Sequence, residues 1–195
     1  MLPKEAIATL GSMARERASS SLHTARLRDG ALVTVRAIRP SDVGPLRSAF
    51  EQLSPESRYL RFHAYLQQLP SEQWEYLTRV DGRDHVALIA RDGPRIVGVA
   101  RFVRSEDRAQ CAEVAFVVAD DYQRRGLGRV LRDALLREAG ERGIHTFRAY
   151  VLPANVAIRR LLSEPPLELS SDQPGELEAR LTSPCTRRTG SRTRS

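Results

Sequence analysis

The sequence predicts one α/β domain with a mixed, mostly antiparallel sheet and helices on both faces. Segments in which apolar and polar residues alternate indicate strands, and segments with apolar residues at helical spacing lie between them. The predicted order is β-α-α-β-β-β-α-β-α, followed by a short hairpin. A length of 195 residues is sufficient for one hydrophobic core.

The first half of the chain predicts a strand and then a helical region. The strand runs from about Leu32 to Ile38, and Pro40 with Ser41–Asp42 provides a start for a helix over residues 43–53. Ser54–Pro55 ends that helix. More helix follows, interrupted near Pro70.

The second half predicts the body of the sheet. The most apolar strand is "CAEVAFVVA", which we therefore expect to be central, and the helix after it has an apolar stripe and a stop at Gly143. The predicted elements are, in order, the strands "DHVALIAR", "RIVGVARFVR" and "CAEVAFVVA", the helix "GRVLRDALLREAGERG", the strand "HTFRAYVL", the helix "ANVAIRRLL" and the weak hairpin "LELSSDQPGELEARL".

The charge distribution suggests a neutral domain between two basic ends. The chain has a net charge of +7, of which residues 1–28 carry +3 and residues 183–195 carry +4. Residues 29–182 are therefore neutral overall and form the predicted domain. We expect residues 1–28 to be disordered or loosely helical and residues 183–195 to be a disordered basic tail. Nucleic acid is an unlikely class of partner, bound at most non-specifically through these ends.

The composition argues against membrane, secreted and metal-binding classes. No apolar run approaches the roughly 20 residues of a membrane-spanning helix, and the N-terminus lacks the apolar region of a secretion signal. Cys111 and Cys185 have no spacing that indicates zinc or a disulfide framework. We expect a cytoplasmic protein with no bound metal and no membrane contact. The sequence leaves the oligomeric state open.

A glycine-containing loop between the apolar strand and the next helix predicts an anion site. The segment from Gln123 to Gly128 reads Q-R-R-G-L-G. It lacks the Lys-Ser/Thr of a P-loop, and Leu131 stands where a dinucleotide-binding loop has its third glycine. It fits the pattern Q/R-x-x-G-x-G/A completely. Free N–H groups at the start of the helix favour an anion there.

With this loop the sequence resembles the GNAT acetyltransferase superfamily, whose motif A has this pattern. The segments "LSPESRYLRFH", "VDGRDHVALIA", "IVGVARFVR" and "AEVAFVVADDYQRRGLG" resemble the catalytic domain of the Pat-type protein lysine acetyltransferases. The similarity covers about residues 32–162. It implies a sheet that is splayed between its two central strands, and acetyl-CoA as cosubstrate.

The resemblance also implies which residues bind acetyl-CoA. Main-chain groups at Phe116, Val117 and Val118 would align the pantetheine and thioester. The loop would hold the pyrophosphate through Arg124, Arg125, Gly126, Leu127, Gly128 and Arg129. Asn155, after the next strand, would also contact the cofactor.

Glu113 is the candidate general base for an amine acceptor. An amine with a pKa near 10 is mostly protonated at neutral pH, so a base is needed. Glu113 is the charged residue in an otherwise apolar strand, on one face with Ala115 and Val117. We expect its carboxylate to be partly buried, which would suit it to accept a proton. In the Pat-type enzymes the matching glutamate has this role.

The sequence does not identify the acceptor substrate. A protein lysine is implied by the Pat-type resemblance, and the alternatives are a small amine such as a polyamine or antibiotic, or a non-catalytic CoA-binding module. Leu162 stands where many GNAT enzymes have a tyrosine that protonates the leaving thiolate, and Pro166–Leu167 replace a Gly-Phe pair. These departures put the last two strands and the acceptor site in doubt.

Overall fold

The computed structural model describes residues 23–182 and contains five α-helices and eight strands in that range. The strands are β1 His23–Arg26, β2 Leu32–Ala37, β3 His85–Asp92, β4 Arg95–Arg104, β5 Cys111–Val118, β6 Thr146–Tyr150, β7 Leu167–Gln173 and β8 Glu176–Leu181. The helices are α1 Val43–Glu51, α2 Pro55–Phe62, α3 Ser71–Thr78, α4 Leu127–Gly140 and α5 Val156–Ser163.

The strands form one sheet in the order β1-β2-β3-β4-β5-β6-β8-β7. Neighbouring strands are antiparallel, apart from the parallel pair β5 and β6. This confirms the predicted mixed, mostly antiparallel sheet. β5 lies at the middle of the sheet, as its apolar sequence predicts.

Strand β1 corrects the predicted N-terminal boundary of the domain. His23–Arg26 pairs along its length with β2, from His23 opposite Val35 to Arg26 opposite Leu32. Leu27 directly after it is buried in the core. The folded part therefore begins before residue 29, and the strand was missed because its four residues include a single apolar side chain, Ala25. Residues 1–22 and 183–195, for which we expect disorder, lie outside the described residues.

Helices cover both faces of the sheet and create two hydrophobic clusters. On one face α4 packs its buried leucines, Leu127, Leu131 and Leu135, against the central strands. On the other face α1 and α3 pack through Phe50 and Trp74. β5 contributes to both clusters because its side chains alternate between the faces.

A buried ion pair links β2 to the start of α1. Both guanidinium N–H groups of Arg36 donate to the Asp42 carboxylate at 2.7 Å, and the Arg39 main-chain N–H donates to it at 2.8 Å. Asp42 precedes α1 as predicted, but its carboxylate binds Arg36 instead of capping the helix. Burial raises the pKa of Asp42, but hydrogen bonds from Arg36 and Arg39 outweigh burial and hold that pKa below its usual value.

Of the helices between residues 23 and 182, none has the length and apolar character required to cross a bilayer. Within the same residues no group of three or more His, Cys, Asp or Glu side chains is placed to hold a metal ion.

Candidate functional site

The two central strands part after a short paired stretch and leave an open cleft. β5 pairs with β6 from Cys111 to Glu113, yet β5 continues to Val118 with no strand on that side among the described residues. The resulting cleft has a volume of about 280 Å³ and is lined by β5, β6, the end of α2 and the start of α5. This gap is the splay that the family resemblance implied.

The direction of the main-chain groups of β5 determines which of them reach the cleft. The Ala119 N–H donates to Val97 in β4, and Cys111 accepts from Ser105 on the same side, both at 2.9 Å. Because main-chain groups alternate in an antiparallel pair, the odd-numbered residues of β5 face β4. The even-numbered residues, Phe116 and Val118 among them, therefore face the cleft.

A side-chain contact agrees with this alternation. The Gln123 amide donates to the Val118 carbonyl oxygen at 3.3 Å from the cleft side. The structure thus directs the main-chain groups of Phe116 and Val118 into the cleft and those of Val117 towards β4. Of the three residues expected to align a thioester, Val117 contributes its side chain to the opposite hydrophobic cluster.

Glu113 lies at the inner end of the cleft, where pairing with β6 stops at Arg148. Its side chain is exposed, which contradicts the expected partial burial. The alternation of side chains along β5 predicts the face of the sheet on which Glu113 lies, but not how far other elements bury it. In the structure the cleft leaves the carboxylate accessible to solvent. Within residues 23–182 the carboxylate makes no hydrogen bond or ion pair, so it is available to a ligand.

The predicted anion loop follows the end of β5, where the Gln123 amide contacts the Val118 carbonyl oxygen. Arg124 and Gly126 adopt positive φ angles of 59° and 93°, and α4 begins at Leu127. The Val130 N–H is the donor that closes the first turn, to the Gly126 carbonyl at 3.2 Å. The N–H groups from Leu127 to Arg129 have no earlier helical turn to bind, as at any helix start. They provide main-chain donors for an anion.

The arginine side chains of the loop have different surroundings. Arg125 forms an ion pair with Asp29 and stacks over Tyr122 with its guanidinium carbon 4.2 Å from the ring centre. Arg129 pairs with Glu164 at 2.5 Å. Arg124 is exposed and makes no ion pair within the described residues. Two of the three predicted cations are therefore already paired with carboxylates.

Arg28 is a basic residue at this loop that sequence reasoning did not assign to the site. Its N–H donates to the Arg125 carbonyl at 3.0 Å. Its side chain crosses Gly126, where an added Cβ would meet it at 3.5–3.8 Å. The guanidinium is exposed, with no hydrogen bond or ion pair among residues 23–182. No local pattern could have found Arg28, because the contact depends on β1 pairing with β2.

Asn155 lines the cleft opposite β5. Its side-chain oxygen accepts from the Ile158 N–H at 3.3 Å and so caps α5. The structure places this predicted cofactor residue in the cleft and gives its oxygen a structural role as well.

The carboxylates of the two aspartates before the loop bind other elements, while the Asp121 carbonyl accepts from the Arg125 side chain at 3.1 Å. Asp120 accepts from the Ser54 N–H at 2.8 Å and from the Ser57 hydroxyl at 2.6 Å, which fixes the start of α2. Asp121 forms a two-bond ion pair with Arg95, at 2.6 and 2.9 Å. The loop is thus tied to α2 on one side and to β4 on the other.

A second space lies behind β5, between the sheet and helices α1 to α3. It is a cavity of about 50 Å³ with mostly apolar walls, and Arg61 and Arg101 are the charged side chains among the described residues that line it. Arg101 is 6 % exposed and donates to His85 Nε2 and to the Leu77 carbonyl, both at 3.1 Å. Burial and then the charge of Arg101 lower the pKa of His85.

The chain is similar to known acetyltransferases over most of this domain. The family model for the acetyltransferase (GNAT) family matches residues 47–164. "Acetyltransferase Pat" of Mycolicibacterium smegmatis is 36 % identical over 139 residues, which cover 70 % of this chain and 41 % of Pat. "Acetyltransferase PA5475" of Pseudomonas aeruginosa is 33 % identical over 139 residues, covering 69 % of this chain and 74 % of that protein.

Solved structures show the same similarity. The GNAT domain of S. lividans PAT has a TM-score of 0.75 and 32 % identity, covering 81 % of this chain and 94 % of that one. The structure of yncA from Salmonella typhimurium with acetyl-CoA has a TM-score of 0.58 and 18 % identity, covering 76 % and 90 %. At 18 % identity, the similarity to yncA concerns the fold alone.

Proposed function

The chain belongs to the acetyltransferase (GNAT) family, and on that premise we propose that it is an acetyl-CoA-dependent acyltransferase that acetylates a protein lysine with Glu113 as general base. One observation carries this proposal. β5 carries Glu113, a carboxylate in the cleft with no ion pair among residues 23–182, and leads directly into a loop and helix start with main-chain donors for an anion. This arrangement suits a long anionic cosubstrate whose reactive group lies near Glu113.

The cleft and the loop after β5 suit acetyl-CoA in three places. The N–H groups from Leu127 to Arg129, with Arg124 beside them, would hold the pyrophosphate. The main-chain groups of Phe116 and Val118 would bind the pantetheine as a neighbouring strand would. When bound, acetyl-CoA supplies a thioester carbon that the acceptor amine attacks, and the Val118 N–H would donate to the thioester oxygen.

Glu113 would accept the proton that the acceptor must lose. A lysine amine has a pKa of about 10.4 and is mostly cationic at neutral pH. An ionised, exposed carboxylate can receive the proton directly or through one water molecule. The proton then passes to solvent, because the cleft is open at Glu113.

The leaving thiolate needs no side-chain acid. Leu162 takes the position of the tyrosine found in many family members, and it is buried in the core. A thiol has a pKa of about 8.5, so the thiolate can leave unprotonated or take its proton from water.

The lysine acceptor rests on the similarity to Pat, and it is tested by direct transfer. The full chain is incubated with labelled acetyl-CoA and a set of single-lysine peptides, and the products are located by mass spectrometry. We expect acetyl groups on the lysine side-chain nitrogen. Transfer to small amines alone would reject the protein acceptor, and absence of transfer to every amine would reject catalysis.

We also propose that Arg28 contacts the phosphate groups of the cosubstrate. Replacing Arg28 with alanine removes a positive charge beside Gly126 and should raise the Kd for acetyl-CoA about tenfold, the equivalent of roughly 1.4 kcal/mol. Calorimetric titration measures this change. Acetyl-pantetheine, which has no pyrophosphate or 3′-phosphate, should bind both proteins equally.

Arg26→Ala is the matched control for Arg28. Arg26 lies two residues earlier, is exposed and donates to the Gly30 carbonyl at 3.3 Å. Its loss should leave the Kd for acetyl-CoA within about twofold. An equal rise in the Kd for acetyl-CoA in both variants would contradict a phosphate contact. So would an equal rise in the Kd values for acetyl-CoA and acetyl-pantetheine in Arg28→Ala.

A further inference from the structure

Arg101 is a buried cation that has no carboxylate partner in the part of the chain that the structure describes. It is 6 % exposed in the middle of β4, and its hydrogen bonds go to a neutral histidine and a carbonyl group. No ion pair to Arg101 exists among residues 23–182. Burial, and then the charge of Arg61, lower the pKa of Arg101 to about 10, so it stays charged at neutral pH. A buried charge of this kind is costly unless an anion offsets it.

Arg61 brings a second positive charge to the same place. It lies on α2, half-buried, with its guanidinium carbon 5.0 Å from the centre of the Phe62 ring. No hydrogen bond to its guanidinium exists within the described residues. Burial lowers the pKa of Arg61, while Glu113 and then Tyr76 act in the opposite direction. Arg61 is therefore within the electrostatic reach of both Arg101 and the proposed base.

The space in front of these two arginines adjoins the cleft. Arg61, Phe62 and Ala115 line both the cavity of about 50 Å³ and the cleft that contains Glu113. A cavity needs only about 10–15 Å³ to hold a water molecule, so this one has room for a small planar group. Its other walls are apolar and include Phe50 and Val117.

From this geometry we propose that the acceptor binds through a carboxylate to Arg61 and Arg101. This contact would hold the acceptor amine beside Glu113. The inference rests on the proposed amine acetylation and names the class of acceptor. A guanidinium binds a carboxylate through two parallel hydrogen bonds, which suits a small, flat cavity. An acceptor with several cationic groups, such as a polyamine, would instead meet two like charges.

The carboxylate can come from two sources that share this chemistry. In a protein it would belong to an aspartate or glutamate beside the lysine, and in a small molecule it would be part of an amino acid. The test uses one matched pair for each source. The first pair is a single-lysine peptide with glutamate or glutamine next to the lysine, and the second is an amino acid and its carboxamide.

We expect the carboxylate member of at least one pair to have a kcat/KM about tenfold above its neutral partner, the value of a charge-assisted hydrogen bond. In Arg101→Met this ratio should fall to near one. Arg61→Gln should reduce the ratio as well. Arg79→Met is the control for loss of one positive charge, because that side chain is 69 % exposed outside the cavity.

Separate measurements keep the inference distinct from the proposed reaction. Removing an uncompensated buried charge should not unfold the protein, and thermal unfolding of Arg101→Met checks this. Calorimetric binding of the same pairs is measured without turnover. Binding preference for the carboxylate that is lost in Arg101→Met would support the site even if no transfer occurs. Equal binding of both members, or a preference that survives in Arg101→Met, would overturn it.

Discussion

Replacing Glu113 with glutamine is expected to lower kcat/KM for the amine acceptor about 100-fold at neutral pH, the effect of losing a general base. Glutamine preserves the size of the side chain but cannot accept the proton. Because Glu113 is exposed and has no ion pair within the described residues, the change should leave folding and the Kd for acetyl-CoA unaltered. Steady-state kinetics and calorimetry measure the two quantities.

The pH dependence separates a base from a residue that only binds the acceptor. As the pH approaches the amine pKa of about 10, more acceptor is already unprotonated, so the deficit of Glu113→Gln should shrink. Glu168→Gln, an exposed strand glutamate away from the cleft, serves as control and should keep full activity. Full activity of Glu113→Gln from pH 6 to pH 10 would exclude Glu113 as the base.

Asp42→Asn should lower the free energy of unfolding by about 3 kcal/mol, since it leaves a buried arginine unpaired. The side chains of Arg36 and Asp42 are 14 % and 7 % exposed, and the bond between them joins β2 to the start of α1. Urea unfolding at neutral pH measures the change. Asp107→Asn, the same chemical change on an exposed loop, should alter stability by less than about 0.5 kcal/mol.

The stabilisation from Asp42 should disappear in acid. Its pKa is lower in the folded protein than the usual value of about 3.9, so the unfolded chain takes up a proton at a higher pH than the folded one. The contribution is therefore complete above about pH 5 and is lost as the pH falls through the folded value. The difference between wild type and Asp42→Asn should be smaller at pH 3 than at pH 7. An equal difference at both pH values would mean that the carboxylate charge is not responsible.

Most of the sheet could be predicted because its strands carry strong local patterns. The segment from Cys111 to Val118 is apolar enough to identify a central strand, and the stripe from Leu127 to Ala139 identifies the helix after it. Strand β1 could not be predicted, because four residues with one apolar side chain give too weak a period. It is positioned by pairing with β2, and a contact of that kind has no local signature.

The candidate site could be predicted only where its residues are close together in the sequence. The loop from Gln123 to Gly128 and Glu113 were identified because spacing along one strand and one turn defines them. The two arginines that we propose for the site, Arg28 and Arg101, could not be predicted, because each is brought towards it by a distant segment of the chain. The exposure of Glu113 was mispredicted for a related reason: alternation assigns a face, while cover depends on α2 and β6.

The separation of β5 from β6 also gives the domain an incomplete sheet. Main-chain groups of Phe116 and Val118 face a gap where another strand would bind them, so the sheet has an edge in its interior. The proposed cosubstrate, lying in that gap, would complete the hydrogen-bonding ladder and bind the folded chain alone. Folding would then be linked to ligand concentration, with about 2.7 kcal/mol of added stability at one hundred times the Kd. The thermal resistance of this domain in a cell would therefore depend on the supply of coenzyme A as well as on its own packing.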